Sequence, residues 1–309
     1  TIQINLLESI AKFYGVKVLK FSLGNFGSTW QITQNFELID NYGDINLAKL
    51  PSLTLSYLEE QRKNLDMKKQ YIDILSKGAE LKKINFIKNF IYNLTKLQDE
   101  FKSQPGNSKK KYSKFLFQLL KENIFHFSRK RFLDRHALKN FVPSKNFVYF
   151  PLHVQPESTI DYSAPFSTKQ ISVIKNLSQS LPVNYELYVK EHFSMGIWSN
   201  WRDTSYYKEI LDMPNVKLIH PSVSSSFLME RCALVTTIHG SASYEALFYH
   251  KPVILLTEMT TSTIIPSVIQ VNDLEELPIT IRNILKHATG DGYVEFFESK
   301  MRQTFTFDI

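Results

Sequence analysis

The chain carries a single cysteine, Cys232, so no disulfide can form within it. That fits a reducing compartment, and its place beside an apolar run marks Cys232 as a small core residue rather than a nucleophile. No apolar run reaches the length of a membrane-spanning helix, and no secretory signal pattern is legible. A Gly-x-x-x-x-Gly-Lys-Ser/Thr loop is missing, which argues against a P-loop NTPase. No Gly-x-Gly-x-x-Gly follows a strand, which weakens a dinucleotide oxidoreductase, and no Gly-x-Ser-x-Gly supports a hydrolase nucleophile. Histidine pairs at metal-ligand spacing and an Asp-x-Asp are absent as well, so a metal-free site is expected.

What is present reads as an ordinary globular protein, with 43% hydrophobic and 22% charged residues. At 309 residues the chain is long enough for two cores. It opens on Thr1 rather than Met, as a processed or excised segment does, and further N-terminal sequence is expected. The net charge of +7 is uneven. Lys102 to Arg131 holds nine basic residues, among them Lys109, Lys110 and Lys111, against one acid, Glu122. Such a stripe attracts an anionic partner, or it is the solvated side of helices whose aromatic residues face inward. No nucleic-acid-binding motif accompanies it, so nucleic acid is not expected as a partner.

Periodicity predicts a helix over Asn5 to Tyr14, stopped by Gly15, and a strand over Val16 to Leu23. Helix, glycine, strand reads as part of a doubly wound unit entered midway. Helical spacing recurs over Leu53 to Ile74, Ile84 to Leu97 and Tyr112 to Phe127. After Pro143 the pattern alternates. Strands are expected at Asn146 to Phe150, Glu186 to Lys190, Val216 to Ile219, Ala233 to Ile238 and Val253 to Leu256. Helices are expected at Thr168 to Ser180, Tyr206 to Leu211, Ser224 to Arg231, Ser243 to Tyr249 and Pro278 to His287. That alternation implies an α/β fold with a parallel sheet. The division expected is a helix-rich, truncated N-terminal domain over 1–142, a doubly wound parallel-sheet domain over 143–290, and a tail over 291–309. In the tail, a helix over Tyr293 to Met301 packs back on the first domain.

The most informative stretch is Gly240 to Ala246, Gly-Ser-Ala-Ser-Tyr-Glu-Ala, between an apolar run and a short helix. Unpaired N–H groups at a helix start attract phosphate, Ser241 and Ser243 add donors, and Glu245 is placed to accept from a sugar hydroxyl. The plainer reading makes Ser241 an N-cap and Glu245 a first-turn acid suited to the helix dipole. Four successive strand ends carry a histidine: His153, His192, His220 and His239. Ligands bind at the carboxyl ends of strands in such sheets, so the four are expected to converge on one cleft.

Tyr149–Thr159, Leu187–His192, Pro214–Ile219, and Gly240–Ala246 with Lys251–Val253 resemble, in this order, the capsular polysaccharide biosynthesis proteins. That family is similar to two-domain GT-B glycosyltransferases, including bacterial transferases that use CMP-activated acidic sugars. The resemblance covers about Asn146 to Leu256. It implies a cytoplasmic glycosyltransferase of cell-envelope assembly, peripheral on the inner membrane, with a CMP- or UDP-linked sugar as donor substrate and no cofactor. A polysaccharide or glycolipid is the implied acceptor. His192 falls on the histidine of a His-Pro motif that contacts donor phosphate, although Phe193 follows it here. Lys190, His239, Gly240, Ser241, Ser243 and Glu245 complete the implied donor set. Gln155, Glu157 and Asp161 fall in the segment facing the interdomain cleft, where a catalytic carboxylate is expected. Glu157 or Asp161 then acts as base or as nucleophile; otherwise Glu157 is an exposed loop acid and Asp161 a turn residue. His153, Gln155, His220 and Trp198 are possible substrate contacts, with Trp198, Trp201 and Arg202 either stacking on substrate or packing under their loop. Two other functions fit the same architecture: a nucleotide-sugar epimerase, and a non-catalytic subunit that binds sugar nucleotide or polymer.

Overall fold

The computed structural model describes residues 128–144, 146–155, 164, 167–192, 195, 202–257 and 267–287. It also describes the shorter pieces 7, 10–11, 13–16, 19–23, 30–34, 37–38, 125 and 304–305. The expected helices Leu53 to Ile74, Ile84 to Leu97, Tyr112 to Phe127 (Phe125 aside) and Tyr293 to Met301 lie outside them, as does most of the basic segment.

Near the N-terminus β1 (Leu19–Leu23), β2 (Trp30–Gln34) and β3 (Glu37–Leu38) pair antiparallel in succession, and β10 (Thr304–Phe305) pairs with β2. This corrects the expectation that β1 enters a parallel sheet. The connection over residues 24–29 is too short for a parallel crossover, which needs about a dozen residues or more.

The larger sheet holds β4 (Phe147–Pro151), β5 (Glu186–Lys190), β6 (Val216–Ile219), β7 (Leu234–Thr237), β8 (Val253–Leu255) and β9 (Val268–Gln270). All pairings are parallel, in the order β6-β5-β4-β7-β8-β9. Between the strands run α1 (Gln170–Ser180), α2 (Thr204–Leu211), α3 (Ser225–Arg231) and α4 (Ala242–Glu245), with α5 (Leu277–His287) after β9. The short strand β9 was not foreseen. The expected helix Ser243 to Tyr249 divides into α4 and a 3-10 turn, Ala246–Tyr249, closed by His250 in the left-handed region at φ 53.

The strands read as near-continuous apolar runs because both faces are covered. Alternation along β4 sends Val148 and Phe150 into one core and Phe147 and Tyr149 into the other. The first core is closed by Val173, Ile174 and Leu177 of α1, Tyr207 and Ile210 of α2, and Ile281 and Ile284 of α5. Leu228 and Met229 of α3 and Leu247 of the 3-10 turn close the second. Each fully buried side chain of this size contributes ~1.5–3 kcal/mol. Cys232 lies in the second core, where burial pushes its thiol up to about 12, so it is inert at neutral pH. The helix α1 stops where Pro182 forces Leu181 into extended geometry.

Candidate functional site

The chain enters this sheet at its middle. From β4 it steps outward to β5 and β6, then returns to β7 on β4's other side and continues to β8 and β9. The switch of direction therefore lies between β4 and β7, where Val148 and Tyr149 pair with Leu234 and Val235. Loops on either side of such a point separate at the carboxyl edge and leave a crevice for ligand. His153 follows β4, His239 follows β7 and His192 follows β5.

His153 sits at this carboxyl edge, its backbone N–H and carbonyl both held by the Gln170 amide. Its N–H donates to Gln170 Oε1 (2.9 Å), and its carbonyl accepts from Gln170 Nε2 (3.1 Å). Its Nε2 lies 3.2 Å from Thr237 Oγ1, whose own proton goes to the His239 carbonyl at 3.0 Å. The threonine hydroxyl thus accepts, and the His153 proton is on Nε2. Burial, together with the nearby His239, His192 and Arg202, pushes His153 down to about 3, so it is neutral at physiological pH. Burial also lowers the pKa of His239, and its Nδ1 is buried with no hydrogen-bond partner among the described residues. A buried nitrogen of this kind is costly until something pairs with it.

Gly240 has φ +97, and a Cβ there would meet only His153 Cε1, at 3.7 Å. The conformation, rather than crowding, calls for glycine. Ser241 occupies the N-cap position of α4, is exposed, and makes no side-chain cap bond. Its side chain is hydrogen-bonded with Tyr244. Ser243, expected in the donor set, is buried, and its Oγ donates to the Gly240 carbonyl at 2.8 Å, bracing the loop.

Lys190, expected in the donor set, is placed by alternation along β5 beside Tyr188 on the second core's face, 6% exposed. Its Nζ donates to Ser225 Oγ at 2.9 Å, and the Tyr149 hydroxyl lies 3.3 Å from the same oxygen. Burial lowers Lys190 to about 8, against the opposing attraction of Glu245 and Glu191. Lys190 is therefore buried, bonded to Ser225 at the start of α3 and within electrostatic reach of Glu245.

His220 is placed apart from the other three histidines, among Lys139, Asp134 and Lys130. Its strand, β6, is at the sheet edge. Its Nδ1 accepts from the Ser222 backbone N–H (3.1 Å), and its Nε2 lies 3.2 Å from Asp134 Oδ1. Asp134 is also paired with Lys130 (2.9 Å) and Lys139 (2.6 Å). Burial works to raise this carboxyl, but the two lysines outweigh it and hold it at about 2. In the same region Arg129 pairs with Asp203, so two cations of the basic segment are engaged in ion pairs.

Gln155 is likewise committed, its Nε2 donating to the Thr168 carbonyl (2.7 Å) and its Oε1 accepting from Arg202 Nη1 (3.0 Å). Glu157, Asp161 and Trp198 lie outside the described residues. Sequence reasoning gave no role to Glu191, which is wholly buried and ion-paired with Arg202 at 3.1 Å. Its signal was an acid continuing the inward row Leu187, Val189, where an apolar residue is the rule. Among the described residues, no group of three histidine, cysteine or carboxylate side chains is arranged to hold a metal ion.

The strand order and the crevice define a Rossmann-like α/β domain, the class that presents nucleotides to loops at a switch point. More specifically, the chain belongs to the capsule polysaccharide biosynthesis protein family, whose model matches residues 39–260. No curated protein matches the chain. Among solved structures it is similar to the Methanocaldococcus jannaschii UDP-GlcNAc 2-epimerase in complex with UDP-GlcNAc and UDP. That match has 13% identity and a TM-score of 0.37, covering 56% of this chain and 46% of the epimerase. A beta Kdo 2,7 transferase, Thermosulfurimonas dismutans KpsC, matches at 17% identity and a TM-score of 0.34, covering 52% of this chain and 54% of that one. Anabaena Alr3699/HepE in complex with UDP-glucose matches at 16% identity and a TM-score of 0.34, over 51% and 44%. The chain spans about half the length of these structures.

Proposed function

We propose that this chain is a metal-independent glycosyltransferase that moves a sugar from a CMP- or UDP-linked donor onto a growing capsule polysaccharide or its glycolipid precursor. The observation that carries this reading is the meeting of His153, His192 and His239 with the Gly240–Ser241 loop at the switch point of a capsule-family sheet.

Glycosyl transfer requires three things. The leaving phosphate must be stabilised, the acceptor hydroxyl must lose a proton, and the cationic sugar centre must be shielded from water. In this reading His192, the backbone of Gly240 and Ser241, and the Ser241 hydroxyl receive the phosphate. The Nδ1 of His239, without a hydrogen-bond partner among the described residues, pairs with a donor oxygen or hydroxyl. His153 is neutral, so it orients the loop and contributes a dipole rather than a charge. Glu245 accepts from the ribose and is attracted by the buried Lys190. Glu157 or Asp161, in the stretch that follows the His153 loop, supplies the carboxylate for the acceptor. The protein works in the cytoplasm, against the inner face of the membrane where such acceptors are held.

The test is a calorimetric titration with CMP, UDP, GDP and dTDP, followed by product analysis with the matching nucleotide sugar. Saturable binding of one nucleotide and a new glycosidic linkage are expected. An epimerised donor would replace the transferase reading with an epimerase, and binding without turnover would leave a non-catalytic subunit. No binding would remove the site.

A further inference from the structure

Resting on that reading of the site, we propose that Glu191 and Arg202 are positioning residues. They form a buried ion pair that holds the first residues past β4 and β5, His153–Gln155 and Glu191–His192, in the arrangement in which His153 and His192 serve one ligand.

Glu191 is wholly buried at the end of β5 and accepts three hydrogen bonds among the described residues. Its Oε1 accepts from the His192 backbone N–H at 2.8 Å. Its Oε2 accepts from Arg202 Nε at 3.1 Å and from the Tyr207 hydroxyl at 2.8 Å. The guanidinium then reaches the other loop. Nη1 donates to Gln155 Oε1 at 3.0 Å and Nη2 to the His153 carbonyl, while the group lies 4.9 Å over the Tyr206 ring. Three nitrogens of one planar fork thus meet three acceptors on two loops. The His153 carbonyl receives a second donor from Gln170, and Gln155 is tied onward to Thr168.

Stability alone does not account for this pair. Removing two charges from water is expensive, and apolar side chains of similar volume often serve a core as well or better. The row Leu187, Val189 would continue most simply with another aliphatic residue. What an apolar residue cannot do is fix the His192 peptide and the His153 carbonyl at once. A lysine in place of Arg202 would restore the charge but not the fork, because its donors radiate from a single nitrogen. Charge compensation and geometry can therefore be separated by experiment.

The full chain would be prepared as wild type, as Arg202→Lys, and as the charge-free pair Glu191→Gln with Arg202→Met. Three quantities are read: the thermal midpoint, the pH titration of the histidine rings by NMR without ligand, and calorimetric affinity for the nucleotide the wild type binds best among CMP, UDP, GDP and dTDP. Arg202→Lys should melt close to wild type. Its His153 ring should nevertheless titrate nearer the ordinary histidine value, because the His153 carbonyl is no longer held by the guanidinium. Nucleotide affinity should fall about ten- to hundred-fold, the range expected when a supporting shell is loosened. The charge-free pair should show the same two changes. An unaltered His153 titration with unaltered affinity in both variants would overturn the proposal. So would loss of cooperative folding in both, which would make the pair a stabilising element only. If the wild type binds none of the four nucleotides, the functional reading fails, and the His153 titration still decides whether the pair positions the loop.

Discussion

Replacing Lys190 with methionine should make this protein more stable at neutral pH and worse at binding its nucleotide. Lys190 is 6% exposed, and its ammonium has one hydrogen-bond acceptor among the described residues, Ser225 Oγ at 2.9 Å. Burial lowers it from 10.5 to about 8 even with Glu245 and Glu191 attracting it. At 1.36 kcal/mol per pH unit, holding the charged form in the fold costs ~3 kcal/mol below pH 8. The sign follows from proton counts. Between pH 8 and 10.5 the unfolded chain keeps the Lys190 proton and the folded chain has lost it, so wild-type stability rises with pH across that window. Below pH 8 both states are protonated and the penalty is present in full. Methionine removes the penalty and fills a similar volume, but it leaves Glu245 without the attraction of the ammonium. The net gain at pH 7 should be ~2 kcal/mol, or ~4–8 °C in thermal midpoint for a domain of this size. Calorimetric melting of both proteins at pH 7 and at pH 10 is the assay. The difference should shrink at the higher pH, while nucleotide affinity at pH 7 falls. A methionine variant that melts lower than wild type at pH 7, or a difference that does not change with pH, would refute the reasoning.

Four further outcomes are expected. His192→Ala should weaken nucleotide binding by ~1.5–3 kcal/mol, the range for a hydrogen bond to a charged group, and unchanged affinity with an intact melt would take His192 out of the site. Gly240→Ala should cost ~1–3 kcal/mol in chemical denaturation, because φ +97 strains any side-chain-bearing residue even where the Cβ has room. Of Glu157→Gln and Asp161→Asn, one should lower turnover by ~10²–10⁴ while donor affinity holds, and equal turnover in both variants and wild type would exclude either as the base. Changing Lys109, Lys110 and Lys111 to Gln should weaken co-sedimentation with anionic vesicles, an attraction screened over ~8 Å at physiological salt; vesicle binding that is absent at low salt, or indifferent to the change, would leave that segment a solvated face.

The apolar runs at Glu186 to Lys190 and Val216 to Ile219 are legible from residue order alone, and the structure begins and ends those strands at the same residues. Local order also marks the Gly240 turn, because a small-residue loop between a strand and a helix start has a conformational signature of its own. These features depend on residues within a few positions of one another, which is why the sequence by itself determines them. The nearness of His153 to His239 is of another kind. It depends on β7 returning beside β4 instead of continuing outward past β6, a choice made by the packing of the whole sheet. The same choice leaves His220 at the edge, committed to Asp134. Lys190 looks like a ligand in the sequence because lysines favour anions, and only its position in the alternation of a doubly covered strand buries it against Ser225. Glu191 and Arg202 are separated by ten residues and linked by no motif. They meet because β5 ends where α2 begins to pack, so the ion pair that joins the two histidine loops is a product of tertiary structure alone.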